Sequence, residues 1–218
     1  MQFSSFKNLV PKLQKNELPG LSAQIKMAPF SRRKELESIN YNSLDAKESA
    51  VMALVYPDET NAMKMVFIQR KSNSGVHSNQ IAFPGGKVEK EDANYLATAL
   101  RETEEEIGVK TSTVKLVRPL TKLYIPPSNF IVYPFLGFLD QQPQFSLQET
   151  EVESVYSILL ADCLNPINEV KAEVSASYAK KMMVNAFNFN NRIVWGATAM
   201  MLAEIKSLML NGLANKSV

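Results

Sequence analysis

The sequence of 218 residues lacks most of the features that mark secreted and membrane proteins. A single cysteine, Cys163, excludes an internal disulfide framework and is compatible with a reducing cytoplasm. No apolar run reaches the roughly 18 residues needed to span a bilayer. The first residues also lack the hydrophobic stretch and the small-residue cleavage site of a secretion signal. We therefore expect a cytoplasmic protein without a membrane segment.

An excess of charge of one sign is also absent. The chain has 24 Lys and Arg residues against 22 Asp and Glu residues, which gives a formal net charge of +2. This near balance argues against wholesale binding to nucleic acid or to a membrane surface. Apolar residues make up 45% of the sequence, enough for a substantial core. The length suits one domain with an extension, and we predict a helix and arm over residues 1–45 and a main domain over residues 46–218.

The pattern of apolar residues predicts a mixed β-sheet covered by helices, which is an α+β fold. Two apolar runs, 48–56 and 63–70, flank a turn and predict a β-hairpin. Further strands are predicted at 114–124, 130–139 and 152–160, with only short strands and loops at 169–194. Helical spacing predicts an N-terminal helix over 3–16, an irregular arm after it, and a terminal helix over 195–209 in which Ala199, Leu202, Ile205 and Met209 are in register.

A helix predicted over residues 94–107 carries an unusual group of acidic side chains. On a helical wheel, Glu102, Glu105 and Glu106 share one flank that faces away from the apolar stripe. That stripe consists of Leu96, Ala99, Leu100, Thr103 and Ile107. Like charges at these spacings cost a helix a few tenths of a kcal/mol per pair, and Arg101 is the only nearby residue in the run that offsets them. A hard divalent cation, which prefers oxygen ligands, would do so as well.

A glycine loop precedes this helix. Pro84 ends an extended segment, and Gly85 and Gly86 permit backbone conformations that are closed to other residues, so that backbone groups can approach a phosphate or a metal closely. We expect Asp92 to cap the start of the helix and Gly108 to cap its end. The loop and the helix together indicate a metal-dependent phosphate site.

These residues resemble the Nudix box, G-x5-E-x7-R-E-U-x-E-E-x-G-U, in which U is an aliphatic residue. Gly86 and the segment RETEEEIGV at 101–109 supply the matching positions. The sequence departs from the pattern in that Asp92 replaces the first glutamate, one extra residue precedes Arg101, and Thr103 takes an aliphatic position. The R-E-x-x-E-E core is intact, whereas a catalytic role for Asp92 is left open.

A narrower resemblance links the chain to the coenzyme A pyrophosphatases within the Nudix superfamily. Arg70 with HSNQIAFPGG at 77–86 is similar to the extended motif of that subgroup, and TAL at 98–100 and WGATAM at 195–200 also look like it. Gly75 and Asn79 depart from the motif, which has Arg and Gly there. The resemblance implies an α/β/α sandwich that uses Mg²⁺ or Mn²⁺ to cut coenzyme A or acyl-coenzyme A into 3′,5′-ADP and 4′-phosphopantetheine or its acyl form. A homodimer is possible.

The resemblance and the spacing together suggest roles for individual residues. Glu102 and Glu106, one helical turn apart, are the first choice as metal ligands. Glu105 is either a third ligand or the general base, and a base from Glu151 or another distant carboxylate remains possible. Arg101 is expected to orient these carboxylates through charge-assisted hydrogen bonds. The predicted catalytic group is therefore Arg101, Glu102, Glu105 and Glu106.

Candidate phosphate-binding groups lie around the loop. They are Arg70, Lys71, Lys87 and the backbone of Gly85 and Gly86, although each cation alone is more often an ordinary surface residue. His77 is expected to anchor the loop. Trp195 is expected to pack on the terminal helix rather than to stack on adenine, and Cys163 is expected to be inert.

Two other functions are compatible with the same residues. One is a Nudix hydrolase that acts on ADP-ribose or another nucleoside diphosphate derivative. The other is a Nudix-like domain that senses a nucleotide without cutting it, for which a degraded motif would be typical. The complete set of glutamates favours an enzyme.

Overall fold

A computed structural model describes residues 1–71, 80–176 and 179–214. The helices are α1 (Phe3–Lys15), α2 (Leu21–Gln24), α3 (Arg33–Glu37), α4 (Tyr95–Ile107), α5 (Leu160–Leu164) and α6 (Gly196–Ala214). The strands are β1 (Lys47–Pro57), β2 (Met63–Arg70), β3 (Ile81–Ala82), β4 (Gly85–Lys87), β5 (Lys115–Pro119), β6 (Leu123–Ile125), β7 (Phe130–Phe138), β8 (Val152–Leu159), β9 (Glu169–Ala176), β10 (Ala179–Phe189) and β11 (Arg192–Val194).

Eight strands form a mixed sheet, as predicted. Its main path runs β3-β2-β1-β7-β5, while β4 pairs with β1, β6 with β7 and β8 with β2. The predicted β1–β2 hairpin is confirmed, with Val55 opposite Met65. Strands β1 and β7 run parallel, and the other pairs in this sheet are antiparallel. The sheet therefore has β1 at its centre, bonded to three neighbours.

Helices cover both faces of this sheet. Along β1, side chains alternate between the faces, so that Ala53 and Val55 join one buried cluster while Met52 and Leu54 join another. Helix α4 packs on the second cluster, and α1 and α6 pack on the first. This arrangement is the predicted α/β/α sandwich of the α+β class.

A second, three-stranded sheet has the order β11-β10-β9. The prediction of only short strands over 169–194 is wrong, because β9 has 8 residues and β10 has 11. Asn190 and Asn191 take positive φ angles between β10 and β11, a conformation that asparagine tolerates in tight hairpin turns. Three strands of the described chain therefore follow β8.

The N-terminal helix is part of the main core. Phe6, Leu9 and Leu13 of α1 are buried in the same cluster as α6, so burial of apolar surface stabilises this packing. The arm after α1 was predicted to be mostly irregular, and it contains two short helices, α2 and α3. The boundary between an extension and a main domain at residue 46 stays a prediction.

Glu204 of α6 is fully buried and ties three parts of the chain together. Its carboxylate accepts hydrogen bonds from Gln24 Nε2 at 2.8 Å and from Thr121 Oγ1 at 2.6 Å, and the backbone N–H of Thr121 also donates to it. The single strand predicted over 114–124 is divided into β5 and β6, and Thr121 lies between them. In the part of the chain that the structure describes, no helix is long and apolar enough to cross a membrane.

Candidate functional site

The glycine loop lies against β1, and each of its glycines is required for a different reason. Strand β4 pairs with β1, with Gly85 opposite Val51 and Gly86 opposite Ala50. Gly85 has φ +149°, and a Cβ there would lie 2.3 Å from the carbonyl oxygen of Ala50. A Cβ on Gly86 would lie 2.4 Å from both carboxylate oxygens of Glu102. The first glycine lets the loop approach the sheet, and the second leaves room for a glutamate.

Glu106 lies inside the protein, with only 1% of its side chain exposed. The prediction that its flank of α4 faces away from the buried side is therefore wrong for this residue. Its Oε2 accepts a hydrogen bond from the backbone N–H of Gly85 at 2.8 Å, and its Oε1 lies 3.5 Å from Nη2 of Arg70. Burial raises the pKa of Glu106 to about 7, and the neighbouring carboxylates Glu102 and Glu151 add to this effect.

Arg101 binds the other carboxylates of the site, as predicted. Its Nη1 donates to Glu102 Oε1 and to Glu105 Oε2, both at 3.0 Å. Its Nε and Nη2 donate to the two oxygens of Asp92 at 2.9 and 3.0 Å, and Nη2 also donates to the carbonyl of Lys87 at 3.2 Å. One guanidinium thus fixes two glutamates of α4 relative to the loop before it.

The predicted capping role of Asp92 is wrong. Asn94 caps α4 instead, accepting a hydrogen bond from the backbone N–H of Ala97 at 3.0 Å. Asp92 is paired with Arg101, which holds the pKa of the Asp92 carboxyl well below its ordinary value. The predicted C-terminal cap is confirmed, since Gly108 has φ +73° in the left-handed region.

The three glutamates differ in exposure. The Glu102 side chain is 13% exposed and that of Glu105 is 49% exposed, and burial raises the pKa of Glu102. Among the described residues, no group of three or more His, Cys, Asp or Glu side chains is arranged to hold a metal ion. Glu102 and Glu105 are both bound to Arg101. The donor set nevertheless suits Mg²⁺ or Mn²⁺, since it consists of carboxylate oxygens around a buried Glu106 and hard cations prefer such ligands.

The predicted phosphate-binding cations are placed differently from one another. Arg70 ends β2 and donates from Nη2 to the carbonyl of Gly85, in addition to its ion pair with Glu106. Lys87 and Lys71 are exposed, and the backbone N–H of Lys71 bonds the carbonyl of Glu151. His77 lies outside the described residues. Cys163 is buried, and burial raises the pKa of its thiol well above the ordinary value.

A cavity of about 340 Å³ opens beside the loop. Arg70, Gly85, Gly86 and Lys87 form part of its lining, so that it adjoins the glutamate site. The rest comes mostly from apolar residues that are distant in sequence, among them Leu36, Ile125, Phe130, Trp195, Met200 and Met201. Trp195 packs against the second sheet, beside the cluster of Val174, Val184 and Ala186. Periodicity alone gave no signal for this cavity, because it forms only when these segments meet.

Comparisons of the sequence with known proteins identify a family. Residues 46–178 match the model of the NUDIX domain family. The chain is 27% identical to the peroxisomal coenzyme A diphosphatase ndx-8 of Caenorhabditis elegans over 188 residues, which cover 85% of this chain and 79% of that protein. It is 28% identical to the mitochondrial Nudix hydrolase 15 of Arabidopsis thaliana over 168 residues, which cover 74% of this chain and 58% of that protein.

Solved structures share the fold. A MutT/nudix family protein from Enterococcus faecalis matches with a TM-score of 0.51 at 18% identity, over 90% of this chain and 73% of that one. The Nudix hydrolase from Nitrosomonas europaea matches with a TM-score of 0.50 at 15% identity, over 82% and 77% of the two chains. Because the family model covers more than half of the sequence and the Nudix-box residues meet at one site, this chain belongs to the Nudix hydrolase family.

Proposed function

We propose that this protein hydrolyses the diphosphate linkage of coenzyme A or of acyl-coenzyme A, and releases 3′,5′-ADP and 4′-phosphopantetheine or its acyl form. The observation that carries the proposal is that the glycine loop, which contacts Glu106 of α4, lines a largely apolar cavity. A diphosphate with a long, weakly polar substituent fits such a site. The name of the Caenorhabditis elegans relative supports the same substrate.

In this proposal Glu102 and Glu106 would hold Mg²⁺ or Mn²⁺, and Glu105 would complete the set or act as the base. When bound, the ion would neutralise charge on the diphosphate and lower the pKa of a water molecule. The exposure of Glu105, the greatest of the three, favours its role in accepting a proton from the attacking water. Arg101 would hold Glu102 and Glu105 in place through its two 3.0 Å hydrogen bonds.

The phosphate groups would contact the loop. Lys87 is exposed and lines the cavity beside Gly86, so that its ammonium group is available to a phosphate oxygen. Arg70 also lines the cavity and would bind a phosphate while keeping its contact with Glu106. Gly85 and Gly86 present their backbone without side chains, which allows close approach of the diphosphate.

A substrate panel tests the proposal directly. The purified protein is incubated with Mg²⁺ or Mn²⁺ and with coenzyme A, acyl-coenzyme A, ADP-ribose and dinucleotides, and the products are identified by mass. We expect 4′-phosphopantetheine and 3′,5′-ADP from coenzyme A. Preferential cleavage of ADP-ribose would replace coenzyme A with another nucleoside diphosphate derivative, and tight binding without turnover of any compound would indicate a nucleotide sensor.

A pair of variants on α4 tests the glutamate site. Glu106→Gln should reduce metal-dependent turnover by at least about 100-fold. Mutating a residue that only hydrogen-bonds to a metal ligand already lowers metal affinity or activity by about 10- to 100-fold. Glutamine keeps an oxygen that can accept from the N–H of Gly85, so the fold should persist. Glu104→Gln is the matched control, because Glu104 is exposed on the same helix. Full activity of Glu106→Gln would remove this residue from the mechanism.

A further inference from the structure

The lining of the cavity has an uneven distribution of charge. Among the described residues, its cationic side chains are Arg32, Arg70 and Lys87, and no aspartate or glutamate lines it. Two of these cations belong to the glycine-loop site, where Arg70 also pairs with Glu106 at 3.5 Å. Arg32 is already engaged in another interaction. Arg32 is thus the one cationic side chain in the rest of the described lining.

Apolar side chains form most of that remainder. Leu123, Ile125 and Phe130 contribute from β6 and β7, and Met200 and Met201 contribute from α6. Leu36 contributes from α3. Burying a phosphate against such a surface without a partner is strongly unfavourable, because the charge loses its hydration. An uncharged chain has no ionic group to desolvate there, and it gains from the burial of its methylene groups.

The two halves of coenzyme A differ in charge. The adenosine half carries a 3′-phosphate, whereas the pantetheine half is an uncharged chain of methylene and amide groups that ends in a thiol or a thioester. Building on the proposed function, we propose that the cavity binds the pantetheine half and the start of its acyl chain, while the 3′-phosphoadenosine half lies outside it. The volume of about 340 Å³ falls at the lower end of the range of about 300–1,000 Å³ typical of ligand cavities.

The position of Trp195 provides a direct test. It is the only tryptophan of the chain and it lines the cavity, so that its fluorescence reports on occupancy. The wild-type protein is titrated without metal with 4′-phosphopantetheine, and separately with 3′,5′-ADP. We expect a saturable change in emission with 4′-phosphopantetheine that 3′,5′-ADP neither produces nor competes away. A change with 3′,5′-ADP alone, or with neither compound, would overturn the proposal.

A variant that fills the cavity gives a second test. Ala197 lines the cavity at the start of α6, and Ala197→Phe should lower kcat/KM for octanoyl-coenzyme A by at least 10-fold and weaken the fluorescence response to 4′-phosphopantetheine. Leu213→Phe is the matched control, since Leu213 lies on the same helix and is 46% exposed. A folded Ala197→Phe protein with wild-type kcat/KM would contradict the proposal, and the wild-type titration decides the question if this variant does not fold.

The outcomes separate this inference from the proposed function. If coenzyme A is hydrolysed but 4′-phosphopantetheine leaves Trp195 unchanged, the proposed function stands and the assignment of the cavity fails. If 4′-phosphopantetheine binds in the cavity but the panel shows no hydrolysis of coenzyme A, the proposed function fails and the assignment of the cavity stands.

Discussion

Replacing Gly86 with alanine isolates the role of one carboxylate. The new Cβ would lie 2.4 Å from both oxygens of Glu102, whereas ordinary contacts begin at 3.4 Å. The carboxylate must therefore move by about 1 Å, the difference between these distances. The atoms in the way belong to the end of a flexible side chain, so the backbone has no need to shift.

The size of the effect follows from this displacement. A misplacement of about 1 Å at an active site can lower the rate about 100-fold, which corresponds to about 2.7 kcal/mol of lost transition-state stabilisation. Moving a side chain off its preferred rotamer costs only about 0.5–1.5 kcal/mol. We therefore expect Gly86→Ala to lose about 100-fold in kcat/KM while its free energy of unfolding falls by about 1 kcal/mol.

Gly85→Ala is the contrasting variant. Its Cβ would lie 2.3 Å from the backbone carbonyl oxygen of Ala50, at a φ of +149°, and neither atom can move without disturbing β1. The dihedral strain alone is worth about 1–3 kcal/mol, so this variant should lose stability more than Gly86→Ala does.

Two measurements on each variant check the reasoning. Denaturant unfolding gives the free energy, and kcat/KM is measured with the substrate that the panel identifies, at saturating Mg²⁺. A Gly86→Ala protein with wild-type kcat/KM would show that the position of Glu102 is unimportant. A loss of stability as large as that of Gly85→Ala would show that the Glu102 carboxylate is unable to move aside.

Three further predictions concern buried carboxylates. Asp92→Asn should lower the free energy of unfolding at pH 7 by about 1.5–3 kcal/mol. Arg101 holds the pKa of Asp92 below its ordinary value of 3.8. The difference in unfolding free energy from wild type should therefore persist above pH 3.8 and shrink in unfolding experiments at lower pH. In metal-free protein, burial raises the pKa of Glu106 from 4.5 to about 7. The stability that this group contributes is fully present below pH 4.5 and should fall, by at most about 3 kcal/mol, as the pH rises through 7. The unfolding free energy of Glu106→Gln should lack this dependence on pH. Glu204→Ala should cost about 3 kcal/mol or more in urea unfolding, since it leaves the N–H of Thr121 unpaired, and Glu204→Gln should cost less.

The sequence alone predicts the helices, strands and contacts that depend on residues close to one another in the chain. The apolar runs of β1 and β2 and the helical spacing of α4 and α6 are local patterns, and the structure has these elements close to where they were predicted. The bonds from Arg101 to Glu102 and Glu105 are also local, since these residues lie on one turn of α4. The family resemblance depended on the same segment.

The predictions that failed concern contacts between distant segments. Glu106 is buried because β4 folds back over α4 and brings Gly85 to its carboxylate, 21 residues away, which a helical wheel does not show. The position of Asp92 before the helix predicts a cap, yet Arg101, nine residues later, donates to both of its oxygens. Glu204 is an acidic residue in an otherwise largely apolar helix, and its carboxylate accepts a hydrogen bond from Gln24, 180 residues away.

Stretches on either side of the segment that defines the family contribute part of the cavity lining. The family model ends at residue 178 and starts at residue 46, whereas Leu36 precedes it and Trp195 and Met200 follow it. Exchanging these flanks with those of another relative would reshape the chamber and leave the acidic helix untouched. Selectivity and hydrolytic chemistry would then be separately adjustable, and efforts to redirect such an enzyme to a new compound should begin at its two ends.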